Sequence, residues 1–192
     1  MQKDSIKNIL LVGIGLCVVC GAVISTVAVS LKDQQEQNVI FDQQSKIIDA
    51  ARLLEVYPSS QEALASIEEV VVNLDEGQAS DFPADQYDLD TILRDSSQHT
   101  VLDGSDDIAM ISVRENLSKV YIEYRNNELK TLILPVRGYG LWGTLYGYLA
   151  LDSDLNTIVG LEFYKHKETP GLGAEVDNPN WKKLWNNRAY ER

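Results

Sequence analysis

The chain has 192 residues, with 17 Lys and Arg against 29 Asp and Glu, a formal net charge of −12. A chain this acidic lacks the clustered cations that phosphate neutralisation needs, which argues against nucleic acid as a partner. Setting one long apolar segment aside leaves about 160 residues, enough for a single domain with its own core.

Asn8 to Leu31 carries no charge, and the 23 positions from Ile9 to Leu31 are mostly apolar. At about 1.5 Å per residue they cross a hydrocarbon core of about 30 Å with some tilt. Residues 9–31 therefore read as a transmembrane helix after a short cytoplasmic segment, 1–8. Val27-Ala28-Val29-Ser30 is a poor cleavage site for a secretory signal. Lys3 and Lys7 precede the span, whereas Lys32 is offset by Asp33 and Glu36. This small bias puts the amino terminus inside and the following domain in the periplasm. Cys17 and Cys20 share one face of the span; two thiolates are an incomplete metal site, so they read as small apolar residues and no metal is expected.

Beyond the span, Ile40, Ile47, Ile48, Ala51 and Leu54 recur at helical intervals, predicting a juxtamembrane helix within 32–58 that Pro58 ends. Ser59-Ser60-Gln61-Glu62 has the form of a capping box, and Leu64, Ile67, Val70, Val71 and Leu74 predict a second helix. Residues 59–113 hold thirteen acidic side chains and one basic, Arg94, which accounts for the whole charge imbalance. This span reads as a solvated surface, with a docking face for a basic partner as the alternative. From Gly77 to Asp107 no period persists, and a loop is expected. Four strands follow: one around Val120 to Arg125, then Leu129–Val136, Thr144–Leu151 and Thr157–Tyr164, joined by short turns and so antiparallel. Asn178 caps a last helix with Pro179 at its first position and Trp181, Leu184 and Trp185 on its inner face. The fold class is α+β: an amino-terminal transmembrane helix, then an antiparallel-sheet domain with flanking helices, its core in 114–192.

Two glycine-rich turns are the chemically suggestive feature: Gly138-Tyr139-Gly140-Leu141-Trp142 and Glu168-Thr169-Pro170-Gly171-Leu172-Gly173. Each ends a strand-like run and carries an apolar side chain on which a flat ligand could rest. The glycines allow close backbone approach, and Pro170 stiffens the second turn. Read on residues alone, the alternative is a pair of tight turns serving only the backbone. Gly138, Gly140 and Gly143 formally match G-x-G-x-x-G, but a β pattern follows where a dinucleotide fold needs a helix. His166, between Lys165 and Lys167, reads as a solvated strand end, with a phosphate-facing cluster as the other option. With only His99 and His166 available, no hydrolytic or metal centre suggests itself, and no catalytic residue is assigned.

Leu134-Pro135-Val136-Arg137-Gly138-Tyr139-Gly140-Leu141-Trp142, Val159-Gly160-Leu161, Glu168 to Gly173 and Asn178-Pro179-Asn180-Trp181 resemble the C-subunit family (NqrC) of sodium-translocating NADH:quinone oxidoreductases. That family shares an FMN-binding domain with the G subunit of Rnf complexes. The resemblance implies a membrane-anchored flavoprotein subunit that carries electrons through FMN within a respiratory complex in the bacterial inner membrane. It also implies that the subunit is inactive alone. Leu141, Trp142, Glu168, Thr169, Gly171, Leu172 and Gly173 are the cofactor-binding candidates it points to. It implies further a phosphoester from FMN to the threonine of a Ser/Thr-Gly-Ala-Thr motif, attached by a flavin transferase. No such string occurs in the 192 residues, so a truncated form is expected, with the threonine beyond Arg192. A cofactor-free, membrane-anchored periplasmic interaction module is the alternative.

Overall fold

The computed structural model describes residues 6–189. Lys3, the amino terminus and Arg192, which enter the sequence reading, lie outside them. The chain divides into two units, Met1–Asp42 and Gln43–Arg192. The first holds most of α1 (Ile6–Ala50), whose most apolar 18-residue window has a mean hydropathy of 2.5. Every side chain from Ile6 to Asp42 is exposed within the chain. A helix apolar all round and uncovered by protein suits lipid, not water.

In the second unit the last turns of α1 feed Ile47, Ile48 and Ala50 into the core. The helix stops there and not at Pro58, because Arg52 turns left-handed (φ 53°) and Leu53–Glu55 tighten into a 3-10 turn that buries Leu53. Helix α2 (Ser60–Ala65) is capped as expected, Ser59 Oγ accepting the Glu62 N–H at 3.3 Å. It ends early: Ile67–Asn73, expected as its continuation, is strand β1. The apolar spacing there fits a helix, but Val70-Val71-Val72 are β-branched and pair with a strand fifty residues away, and that pairing overrides the local period.

The segment expected to be irregular holds β2 (Gln78–Ala79), α3 (Leu89–Arg94), β3 (His99–Val101) and, just after it, β4 (Val113–Glu115). Asp88 caps α3 through the Thr91 N–H at 2.7 Å, and Ile92 is buried. The strands β5 (Leu117–Arg125), β6 (Glu128–Tyr139), β7 (Thr144–Asp152) and β8 (Ile158–Lys165) match the expected four. They complete a six-stranded antiparallel sheet, β2-β1-β5-β6-β7-β8, beside a two-stranded sheet of β3 and β4. Asn126 and Asn127 both take positive φ, the two-residue turn that matches the twist of a hairpin.

Pro135 lies inside β6 without breaking it. Pairing with β5 stops at Ile133, so the missing N–H of Pro135 falls where β6 has only β7 as a partner. Beyond that point Arg137 fastens β6 to β4, donating to Val113 O and Glu115 Oε2 at 2.7 Å each. On β5, the fully buried Glu123 carboxylate accepts from Tyr57, Arg125 and Thr131 at 2.8 to 3.1 Å. The last helix, α4 (Pro179–Lys182), has the expected Asn178 cap, but it is a single turn. Trp181 packs near Phe163, whereas Leu184 and Trp185 stay exposed, because one turn has no continuous inner face.

One core joins Ile47, Ile48 and Leu53 to Tyr121, Ile133, Tyr148 and Ala150 of the sheet. Gly160 is where α1 meets β8, since a Cβ there would overlap the Ala50 carbonyl oxygen. Backbone atoms on both sides leave little room to yield, so Gly160→Ala should lower stability by about 1–3 kcal/mol, seen as a reduced melting temperature of the domain. Tyr148 meets Tyr121 edge to face and stacks on Tyr164, with centroids 5.7 and 5.0 Å apart. Burial raises the pKa of all three, and burial with the nearby Glu115 charge lifts Tyr87 to about 12. Raised folded-state values mean that the stability these tyrosines confer is intact below pH about 10 and lost as pH climbs through the folded values. A tyrosinate absorbance titration should therefore show these four ionising late and together with loss of near-ultraviolet circular dichroism.

Candidate functional site

The two glycine turns come to one end of the sheet. Between β6 and β7, Gly140 donates its N–H to Gly143 O at 2.8 Å, closing a tight turn that leaves Leu141 and Trp142 outside. After β8, residues 166–168 lead into the second turn, where Leu172 and Ala174 donate to Thr169 O at 3.1 and 3.2 Å and Gly171 takes φ +74°. The strand after Gly143 excludes a dinucleotide-binding helix at the G-x-G-x-x-G match.

Glu168 joins the turns. It is 8 % exposed, and its Oε1 accepts the Trp142 N–H at 3.0 Å across 26 residues of sequence. Gly140 and Gly173 flank the carboxylate so closely that a Cβ on either would overlap one of its oxygens. These glycines therefore make room for Glu168. Its own N–H donates to His166 Nδ1 at 3.2 Å, and His166 Nε2 lies 2.7 Å from Asp177 Oδ2. With Nδ1 accepting, the ring proton sits on Nε2 and is donated to Asp177. His166 is thus an inward-facing prop, not the solvated strand end its lysine neighbours suggested. Asp177 is not among the sequence candidates and carries no local signal, since its partner is eleven residues away on a different element.

The remaining candidates lie on the outer surface of this clasp. Leu141, Trp142 and Leu172 are 78, 64 and 72 % exposed, and Thr169 and Gly171 are exposed beside them. Lys167 passes along the first turn, its side chain 3.3 Å from the point a Cβ of Gly143 would occupy. Among the described residues no group of three or more His, Cys, Asp or Glu is arranged to hold a metal. Large apolar groups presented on turns with open backbone, beside the stem of a lysine, fit a flat, partly apolar ring that ends in a phosphate, and FMN has that form.

An antiparallel sheet with two clasped glycine turns at one end, preceded among the described residues by one helix long and apolar enough to cross a membrane, fits an anchored cofactor-binding domain. The family model for the FMN-binding domain matches residues 140–191. The C subunit of the Na(+)-translocating NADH-quinone reductase of Pseudomonas aeruginosa is 44 % identical over 189 residues, covering 96 % of this chain and 72 % of the relative. Its counterpart in Vibrio alginolyticus is 38 % identical, covering 96 % and 75 %. Among solved structures, NqrC of Shewanella oneidensis superposes with a TM-score of 0.68 at 31 % identity, covering 76 % of this chain and 68 % of that one. The chain belongs to the NqrC family, the C subunits of Na(+)-translocating NADH-quinone reductases: it is a membrane-anchored, FMN-binding part of a multi-subunit oxidoreductase.

If Glu168 sets the spacing of the turns, Glu168→Ala should cost about 1.5–3 kcal/mol, the range for a hydrogen bond to a charged group. It should also speed hydrogen exchange of the Trp142 amide. Glu168→Gln keeps an acceptor oxygen in place and should retain most of that protection, which amide exchange followed by NMR can check.

Proposed function

We propose that FMN is held by the outer surface of the two turns, with Leu141, Trp142 and Leu172 against its ring. Thr169, Gly171 and Gly173 offer hydroxyl and backbone contacts, and Glu168 acts from beneath by holding the turns at a fixed separation. The supporting observation is the exposure of three large apolar side chains on turns that one buried carboxylate locks together. Bound FMN supplies electron acceptance and release. The chain's own residues bind the ring, orient it and leave one side open for exchange with neighbouring subunits. The work of the site in this reading is positioning.

Covalent attachment, in this reading, is the work of a flavin transferase during maturation. The apolar helix lies in the lipid bilayer of the inner membrane, and the excess of Lys3 and Lys7 over the single Lys32 favours a periplasmic domain.

The test is FMN titration of the detergent-solubilised chain, followed by flavin fluorescence quenching. Quenching should saturate, and Trp142→Ala and Leu172→Ala should each weaken binding about tenfold, the loss expected when one aromatic or apolar wall is removed. A chain that leaves FMN fluorescence unchanged at every concentration would turn the reading to the cofactor-free interaction module.

A further inference from the structure

Next to the proposed flavin turns stands a loop that this function does not use. Residues 102–112 run between β3 and β4, and the loop is bound to the end of β6 by the Tyr139 N–H donating to Ala109 O at 2.8 Å. Two non-glycine residues in it, Met110 and Ser112, have φ of 52° and 64°. Strain of this kind persists only where surrounding bonds impose it. Here the Asp107 carboxylate imposes it, accepting the Ile111 N–H at 2.8 Å and the Ser112 N–H at 2.7 Å, while the Asp106 and Asp107 amides close on Asp103 O at 2.9 Å.

The product of this bracing is an apolar tip in water. Ile108 is 92 % exposed and Met110 62 %, and Tyr139, whose N–H bonds Ala109 between them, is also exposed. An apolar side chain on a floppy loop is unremarkable, but one held out by a strained, internally bonded loop has had its ordering entropy removed before any partner arrives. The loop also carries Asp103, Asp106 and Asp107 and no basic residue. That charge repels an anionic lipid surface and complements a basic one.

We infer that residues 103–110 dock onto another subunit of the reductase complex, inserting Ile108 and Met110 into an apolar recess bordered by lysine or arginine. This deepens the proposed function, since the contact would seat the partner beside the turns proposed to hold FMN. It rests on that reading for its role in electron exchange.

The test uses the full chain co-expressed with the remaining subunits of its reductase. A photo-crosslinking residue at position 108 should join the chain to another subunit of the complex; crosslinks only to lipid or to a second copy of this chain would overturn the inference. Ile108→Glu should reduce recovery of the assembled complex about tenfold, the effect of losing a central anchor. Leu155→Glu, at the opposite end of the strands, should leave recovery unchanged. The paired change Asp103→Asn with Asp106→Asn should flatten the salt dependence of assembly while keeping the apolar tip, which covers the case in which Ile108→Glu folds poorly. FMN quenching measured on the same preparations separates the two readings: normal binding with lost assembly supports docking, and lost binding with normal assembly assigns the loop to the flavin site instead. Full assembly of Ile108→Glu would end the proposal.

Discussion

The end of this domain that carries the two glycine turns depends on one buried carboxylate. Two turns separated by about thirty residues of sequence have no reason to keep a fixed distance, because each is closed by its own backbone bonds. Glu168 supplies the reason, reaching from the second turn to the Trp142 amide of the first. Burial makes the arrangement stiff, since a carboxylate out of water that loses its donor faces a large desolvation penalty. Replacing Gly140 or Gly173 would displace that carboxylate, so these two glycines mark where Glu168 must fit.

A second buried carboxylate does similar work at the other end of the sheet. Glu123 gathers Tyr57, Arg125 and Thr131, fastening the segment after α1 to β5 and β6. Between these two points lies the tyrosine-rich core, and Gly160 brings α1 into van der Waals contact with β8. The positions that look permissive in the sequence, glycines and acidic residues, are in fact among the most constrained.

Much of this was legible from residue order. Four alternating runs with short polar turns marked β5 to β8, and an uncharged 23-residue stretch marked the membrane segment. Ser59 and Asn178 announced their helices, because a cap is a local bond between residues two or three apart. What escaped was non-local. Ile67 to Asn73 has helical spacing and became a strand because β5 lies beside it; the Asp88 helix and β3 are too short to impose a period. At the site, Leu141, Trp142 and Leu172 could be picked out by type and turn, but the inward role of Glu168 and the His166–Asp177 prop depend on which way side chains point. No spacing rule carries that information. The juxtamembrane helix ended early for a similar reason, as the left-handed Arg52 has no glycine or proline to mark it.

The parting of β5 from β6 after Ile133 divides the sheet mechanically. Residues 131–133 have strands on both sides, whereas 128–130 keep β5 alone and 134–139 keep β7 alone, with Arg137 and the Ala109 contact as clamps. Local opening free energies follow the density of such contacts. The end of the sheet that carries the glycine turns is therefore held by β7, Arg137 and the Ala109 contact and not by β5. Loss of any one of those contacts would loosen the turns while leaving the pairing of β5 with β6 untouched.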